Sequence, residues 1–213
     1  MRGPRTDDAA GMHRGSEPAV RMTWANLLFL HWRVPESVIR ERIPEGVEVD
    51  TFDGSAWIAL VPFRMEETRF RGVPNVGGLG DFYECNVRTY VREPAGGGRA
   101  GRRGVWFFSL DAAHMLPVLG GRWLWSLNYI YSRFRGERDG ERTDYQLVSR
   151  LAPDRRAHIV WRRGEALPAS RPGSLEEFLT ERYWLFTRRH GRIRAGRVAH
   201  VRWPLRAAEV ERV

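Results

Sequence analysis

The stretch FYECNVRTYV, from Phe82 to Val91, has the alternation of a β-strand whose two faces differ in character. Successive side chains on a strand point to opposite faces of the sheet. One face is mostly apolar and carries Tyr83, Cys85, Val87, Thr89 and Val91. The other places Glu84, Asn86 and Arg88 between Phe82 and Tyr90. Because two aromatic rings are costly to leave in water, we expect this second face to line an enclosed pocket. A polar face turned to solvent is the alternative.

Length and composition favour one globular domain. The chain has 213 residues, of which 42% are hydrophobic and 12% aromatic. A domain of this size buries roughly 70% of its unfolded surface, so it needs no metal or disulfide to hold a core. Cys85 is the single cysteine, which excludes an intrachain disulfide and a thiolate zinc site. A cytoplasmic location is therefore expected.

The charge is strongly basic, with 35 basic and 26 acidic residues and a net charge of +9. Every basic residue is arginine, and the chain contains no lysine. A nucleic-acid-binding protein would gather these charges on one face, whereas here they are spread, with modest clusters at 99–103 and 188–197. Genome composition is the favoured explanation, and nucleic acid is a disfavoured partner.

The domain boundaries follow from hydrophobicity. Residues 1–22 contain no apolar stretch of signal-peptide length and are interpreted as a disordered tail. No apolar run approaches the length of a membrane span, so no membrane partner is expected. Residues 23–206 form the single predicted domain, and 207–213 are interpreted as a second tail.

The predicted elements are mostly strands. A hairpin is predicted around Asp53-Gly54, and another around Asp139-Gly140. Ser174 and Glu177 form a capping box that predicts a helix over 174–189. The remaining expected elements are strands at 23–34, 82–91, 104–112, 156–163 and 197–205, and helices at 35–43 and within 112–125. Together these elements predict an α+β fold, mainly antiparallel β, with short peripheral helices.

Three regions together resemble the uncharacterised YqjF-like proteins, which are similar to acetoacetate decarboxylase and share its superfamily. They are LFLHWRVPESVIRERIPEGVEVDTFDGSAWIALVPF, then DFYECNVRTYV with GVWFFSLDA, and EEFLTERYWL. The likeness runs from about Trp24 to Trp203. It implies a closed, cone-shaped β-sheet around a central pocket, and a homo-oligomer.

The resemblance also implies site residues. Arg33 falls where the decarboxylase has an arginine in its first strand, and Glu84 falls where it has a catalytic-site glutamate. Tyr129 and Ile130 stand in place of the lysine pair, of which the first forms a Schiff base with the keto acid. A phenol and an isoleucine cannot form an imine, so lysine-dependent decarboxylation is rejected while the fold is retained.

The expected function is the binding of a small carbonyl or carboxylate ligand without a cofactor. Arg33 and Arg88 would hold negative charge, Arg33 also pairing with Glu84. Glu84 would act as an acid or base of lyase or isomerase type, and Asn86 and Tyr129 would bind the ligand. A non-catalytic sensor and an oligomeric assembly protein are the alternatives.

Other candidate residues are assigned structural roles. The histidines at 31, 114, 158 and 200 lack metal-ligand spacing, and no metal site is expected. Cys85 lies in the apolar register, which favours an inert thiol. Asp111 is expected to cap a turn. The GGGRAG run at 96–101 lacks the ending of a phosphate-binding loop, which favours a hairpin tip.

Overall fold

Antiparallel strands form most of the computed structural model, which describes residues 20–70, 81–96, 101–114 and 126–213. Within these ranges the strands are β1 (Val20–Ala25), β2 (Leu30–Val34), β3 (Glu48–Val49), β4 (Ala56–Phe70), β5 (Phe82–Arg92), β6 (Arg103–Ala112), β7 (Tyr129–Asp139), β8 (Arg142–Ser149), β9 (Arg156–Ala166), β10 (Trp184–Arg189), β11 (Arg192–Arg197) and β12 (Arg206–Arg212). The described helices are α1 (Glu36–Arg40) and α2 (Leu175–Thr180). The mainly antiparallel architecture with short helices is confirmed.

One sheet contains all the described strands. Its main path runs β1-β4-β5-β6-β7-β8-β9-β12, with β2 beside β4, β3 beside β5, and the β10–β11 hairpin beside β6. The pairings of β6 with β7 and with β10 are parallel. Among the described residues no pairing joins β1 to β12, so the closed cone expected from the resemblance is not confirmed.

The opening strand of the sequence analysis is β5, and its polar face is enclosed. We call this face, together with Phe29 and the neighbouring side chains of β1, β2, β4, β6 and β7 that point the same way, the inner face. Phe82, Glu84, Asn86, Arg88 and Tyr90 are each at most 5% exposed. They lie among the largest core cluster, which includes Trp57, Val61, Phe63, Tyr129 and Phe178. This face is therefore sheltered from bulk water, as expected, whereas the enclosed pocket stays a prediction.

The opposite face of β5 packs on two smaller clusters. Cys85 is buried against Tyr145 and Ile159 of β8 and β9, and Val91 is buried near Ile39 of α1. The expectation that Cys85 is buried is confirmed. With both faces of β5 covered, this strand lies at the centre of the fold.

Helix α2 begins where the capping residues predict and ends earlier than expected. The Ser174 hydroxyl accepts the Glu177 amide at 3.2 Å, and the Glu177 carboxylate accepts the Gly173 amide at 2.6 Å. The helix ends at Thr180, and β10 begins at Trp184, where the sequence pattern predicted a continuing helix. The prediction of one helix over 174–189 is therefore wrong in its second half.

Two further strand predictions differ from the structure. The Asp53-Gly54 turn forms, with positive φ at both residues and one bridge between Phe52 and Ser55. Strand β3 nevertheless pairs with β5 instead of continuing the hairpin with β4. The predicted strand at 197–205 is wrong, because β11 ends at Arg197 and the next strand is β12.

Both chain ends contain more structure than expected. Val20–Ala25 form β1, so the first strand starts inside the stretch interpreted as a tail, and residues 1–19 lie outside the described residues. The residues interpreted as a C-terminal tail belong to β12, which pairs with β9. Most of the predicted helix within 112–125 lies outside the described residues as well.

Candidate functional site

Glu84 lies inside the molecule, 2% exposed, on the inner face of β5. The Tyr129 hydroxyl donates a hydrogen bond to its carboxyl oxygen Oε2 at 3.2 Å. The Tyr145 hydroxyl donates to the Glu84 backbone carbonyl at 2.7 Å and fixes the strand at this point. The structure therefore brings together Glu84 and Tyr129, two of the residues that the sequence analysis assigned to one site.

Burial raises the pKa of Glu84 to about 8. The hydrogen bond from Tyr129 acts in the opposite direction, and the nearby charge of Asp111 raises the pKa further. Burial beside Glu84 also raises the pKa of Tyr129 well above its usual value, so the phenol stays neutral. Near neutral pH this pair consists of a protonated carboxyl and a phenol, both able to donate hydrogen bonds.

Asp111 is buried on the opposite face of the sheet, across from Cys85 in the register of β5 and β6. It accepts a hydrogen bond from the Ser132 hydroxyl at 2.6 Å, and the Arg155 guanidinium lies 3.9 Å from its second oxygen. These contacts are structural, and they hold β6 to β7.

Arg88 is a buried cation whose partners are all neutral. It is 5% exposed and donates to the Leu179 carbonyl at 3.4 Å. Its guanidinium lies 5.3 Å from the centre of the Phe29 ring and 5.8 Å from that of Tyr90. No carboxylate of a described residue lies within ion-pair distance of Arg88.

Several polar atoms of the inner face have no hydrogen-bond partner among the described residues. They are Trp24 Nε1, Trp57 Nε1, Asn86 Oδ1 and Arg88 Nε, all buried. Buried polar groups are normally paired, so each unpaired one needs an explanation. Three of these four atoms are donors. A molecule rich in acceptor oxygens would complement this face.

His31 belongs to the same face, although the sequence analysis assigned it to ordinary packing. Its Nε2 lies 2.7 Å from the Tyr90 hydroxyl. Burial, with the charge of Arg88, lowers the pKa of His31 to about 3, so the ring is neutral. The alternation of Phe29, just before β2, with His31 and Arg33 on β2 is the sequence signal that could have placed His31 beside the site.

Arg33 lies on the inner face at its exposed end, with its guanidinium 5.0 Å from the centre of the Trp57 ring. In the register, Arg33 is opposite Trp57 while Glu84 is opposite Phe63. Six residues along β4 span about 20 Å. The expected ion pair between Arg33 and Glu84 is therefore wrong.

A second buried polar cluster, not predicted from the sequence, adjoins the first. Asp50 is 3% exposed and accepts from Arg182 at 2.6 Å and from Arg103 at 2.8 and 3.1 Å. The Arg182 guanidinium also lies 4.9 Å from the centre of the Tyr90 ring. Tyr90 thus separates a paired arginine, Arg182, from the unpaired Arg88.

Two cavities lined by described residues lie away from Glu84. One, of about 320 Å³, follows the β10–β11 hairpin from Leu185 to Arg194. The other, of about 180 Å³, lies beside α2 between Phe178 and Arg202. Within the described ranges, no group of three His, Cys, Asp or Glu side chains could hold a metal ion, and no helix is long and apolar enough to cross a membrane.

Solved structures show where this fold has been seen before. The acetoacetate decarboxylase of Legionella pneumophila matches with a TM-score of 0.52 and 13% identity, over 86% of this chain and 66% of that one. The enduracididine biosynthesis enzyme MppR, complexed with pyruvate, matches with a TM-score of 0.56 and 14% identity, over 87% of this chain and 71% of that one. At these identities the likeness shows an acetoacetate decarboxylase-like fold.

Sequence comparison gives a nearer relationship. The "Uncharacterized protein YqjF" of Bacillus subtilis (strain 168) is 38% identical over 194 residues, which cover 90% of this chain and 77% of that protein. The family model DUF2071, "Uncharacterized conserved protein (COG2071)", matches residues 21–213. The resemblance stated from the sequence is confirmed, and the chain belongs to the DUF2071 family of YqjF-like proteins.

Proposed function

We propose that the protein binds a small oxo acid at the inner face, with Arg88 as the partner of the ligand's carboxylate. The observation that carries this proposal is the Arg88 guanidinium, buried with no carboxylate of a described residue beside it. An unpaired charge in a protein interior costs several kcal/mol, and an anionic ligand would offset that cost. The planar guanidinium can bind a carboxylate through two parallel hydrogen bonds.

The other unpaired groups of the inner face support the same class of ligand. Trp24 and Trp57 present indole N–H donors that have no partner in the part of the chain that the structure describes. An oxo acid carries acceptor oxygens and no N–H or O–H donor once ionised, so it complements a face with an excess of donors. Asn86, between Glu84 and Arg88 on the strand, would bind the middle of the ligand. MppR, a neighbour in fold, is complexed with pyruvate, which makes pyruvate a suitable probe.

Glu84 lies four residues from Arg88, about 13 Å along β5, so it would act on the distal carbonyl of an oxo acid longer than pyruvate. A protonated carboxyl can donate a hydrogen bond, and then a proton, to a carbonyl oxygen. Tyr129 hydrogen-bonds this carboxyl and would orient it. The chemistry supported is proton transfer at a carbonyl compound, without an imine, because the chain has no lysine. Arg33, exposed at the end of the same face, would attract the anion before it reaches Arg88.

Calorimetric titration with pyruvate and acetoacetate tests the binding site. Acetone is the matched ligand, since it keeps the carbonyl and lacks the carboxylate. We expect Arg88→Gln to weaken binding of both acids at least about tenfold, which corresponds to about 1.4 kcal/mol. Arg92→Gln is the matched control: Arg92 lies on the same strand, exposed, and pairs with Glu48 at 3.0 Å. Arg33→Gln should have a smaller effect than Arg88→Gln.

Two outcomes would contradict the proposal: no measurable binding of either acid, or equal affinity in the wild type and Arg88→Gln. Proton exchange beside the ketone of a longer acid, such as 7-oxooctanoate, in deuterated water then separates an enzyme from a sensor, because that ketone can approach Glu84 while the carboxylate contacts Arg88. An enzyme should catalyse this exchange and lose it in Glu84→Gln while keeping its affinity. A sensor should bind the same acid with no exchange above the uncatalysed rate.

A further inference from the structure

His31, Ala59 and Arg88 form one row across the inner face. In the strand register His31 of β2 is opposite Ala59 of β4, and Ala59 is opposite Arg88 of β5. Adjacent strands are about 5 Å apart, so the two outer members of the row are about 10 Å apart at their backbones. The middle residue is alanine, fully buried, whose side chain ends at Cβ. The side chain at the centre of the row therefore extends least far from the sheet.

Two aromatic rings lie on either side of the Ala59 position. The Phe29 ring centre lies 6.0 Å from that of His31 and 5.3 Å from the Arg88 guanidinium. The Tyr90 ring centre lies 6.0 Å from that of His31 and 5.8 Å from the same guanidinium. The five side chains thus form a box with Ala59 as its floor, Phe29 and Tyr90 as its sides, and His31 and Arg88 as its ends.

We infer that this Ala59 box is the subsite for the carboxylate of the ligand, with His31 as its second polar contact. The inference rests on the proposed function and adds where the anion lies and what limits its size. A carboxylate is flat and small, so it is the ligand group that needs the least room above Ala59, which other side chains cover in the ligand-free protein. A larger side chain at position 59 would occupy the same place.

The hydrogen bonds at Tyr90 assign a role to each nitrogen of His31. The Tyr90 hydroxyl donates its one hydrogen to the Leu179 carbonyl at 2.8 Å. His31 Nε2, 2.7 Å from the same oxygen, must then be the donor in that contact. The lone pair of the neutral ring is therefore on Nδ1. An anion beside the ring would favour protonation of Nδ1 and gain a second positive partner.

This arrangement couples anion binding to proton uptake. Arg88 and Tyr90 face His31 from β5, Arg33 lies two residues away on its own strand, and Arg182 lies across the Tyr90 ring. The positive charge of Arg88 disfavours a protonated His31 in the empty protein. A bound carboxylate compensates that charge, so the affinity for pyruvate should rise as the pH falls from 7 to 5, by at most about tenfold per pH unit.

Ala59→Val tests the floor of the box, and Ala56→Val is its matched control. Both alanines are fully buried on β4, but Ala56 packs on the opposite side of the sheet with Ile39 and Val91. Each valine should lower the melting temperature by a similar amount, because both overpack a core position. We expect Ala59→Val to weaken pyruvate binding at least about tenfold, and Ala56→Val to leave it within about twofold of the wild type.

His31→Gln supplies a second test that does not depend on overpacking. Glutamine can keep the N–H contact with Tyr90 and cannot take up a proton in this pH range. We expect the variant to bind pyruvate with an affinity that no longer rises between pH 7 and 5. Unchanged binding in Ala59→Val, or an unchanged pH profile in His31→Gln, overturns the inference. If Arg88→Gln abolishes pyruvate binding while Ala59→Val and His31→Gln leave it unchanged, the proposed function stands. The carboxylate then contacts Arg88 at a place other than the Ala59 box.

Discussion

Arg88 and Arg182 are two buried arginines on either side of Tyr90, and they differ in one respect. Both donate to carbonyls at the end of α2, Arg88 to Leu179 and Arg182 to Phe178. Arg182 also donates to the Asp50 carboxylate at 2.6 Å. Arg88 has no such partner among the described residues. The two arginines are therefore similarly buried, but only Arg182 has a carboxylate partner among the described residues.

We propose that this difference separates a structural role for Arg182 from a ligand-binding role for Arg88. In the cluster of Asp50, Arg103 and Arg182, one carboxylate accepts from two guanidiniums, and Arg182 also donates to the Phe178 carbonyl of α2. Burial lowers the pKa of Arg182, and the charge of Asp50 opposes that effect. Around Arg88 the chain supplies aromatic rings, a carbonyl and a neutral His31, none of which carries negative charge. The first cluster should control stability, and the second should control affinity.

The largest expected loss of stability comes from a change in the cluster of Asp50, Arg103 and Arg182. Asp50→Asn removes the charge that balances Arg182, and breaking a buried pair in this way typically destabilises a protein by about 3–5 kcal/mol. The free energy of unfolding from urea titrations measures the loss. Glu48→Gln is the control, since Glu48 forms an exposed pair with Arg92 and should cost about 1 kcal/mol or less. Equal losses in the two variants would show that the Asp50 cluster is no different from a surface pair.

An intermediate effect on the free energy of unfolding is expected from Glu84 as the pH changes. The folded chain keeps a proton on Glu84 up to about pH 8, whereas the unfolded chain releases it near 4.5. Between these values the folded state binds more protons, so stability should fall as the pH rises, by about 1.4 kcal/mol per unit. His31, with its lowered pKa, affects stability only below about pH 6.5, where its unfolded form becomes charged.

The window from pH 6.5 to 8 therefore isolates Glu84. Wild-type stability should decrease by about 2 kcal/mol across it, and Glu84→Gln should remove that decrease. Melting temperatures or urea midpoints in matched buffers give the comparison. A wild-type profile that coincides with that of Glu84→Gln would mean that the carboxyl titrates as an ordinary surface group.

The smallest effect on stability should come from Arg88 itself. Replacing a buried, unbalanced cation with an apolar side chain of similar volume is often neutral or stabilising, so Arg88→Met should change the free energy of unfolding by no more than about 1 kcal/mol. The same variant should lose oxo-acid binding. A loss of stability as large as that of Asp50→Asn would assign Arg88 to the structural cluster, and the comparison would fail.

The sequence predicted the central strand and its sheltered face because both signals are local. Alternation along 82–91 identified the polar face, and the flanking Phe82 and Tyr90 together with the family resemblance placed Glu84, Asn86 and Arg88 inside. The resemblance supplied Tyr129, which meets Glu84 across the sheet. Partners distant in sequence were missed: Asp50 meets Arg182 through a register that no local pattern encodes.

Other errors came from patterns that fit two structures. Positions 183 and 186 continue a helical stripe, yet Tyr183 to Thr187 are also strong strand formers, and pairing of β10 with β6 decides for the strand. The turn at His190-Gly191, where both residues have positive φ, was the available hairpin signal. Arg33 was aligned to the site by family resemblance, but the register of β2 places it beside Trp57.

The pairing of β12 with β9 has a practical consequence for handling the protein. Every residue of β12 is exposed, so its backbone ladder with β9 is its main attachment to the sheet. β9 contains the apolar run Ile159, Val160 and Trp161. A shortened C-terminus would leave that strand as an open edge able to recruit other chains, and the shortened protein should precipitate. Purification tags therefore belong at the N-terminus, where they leave this edge covered.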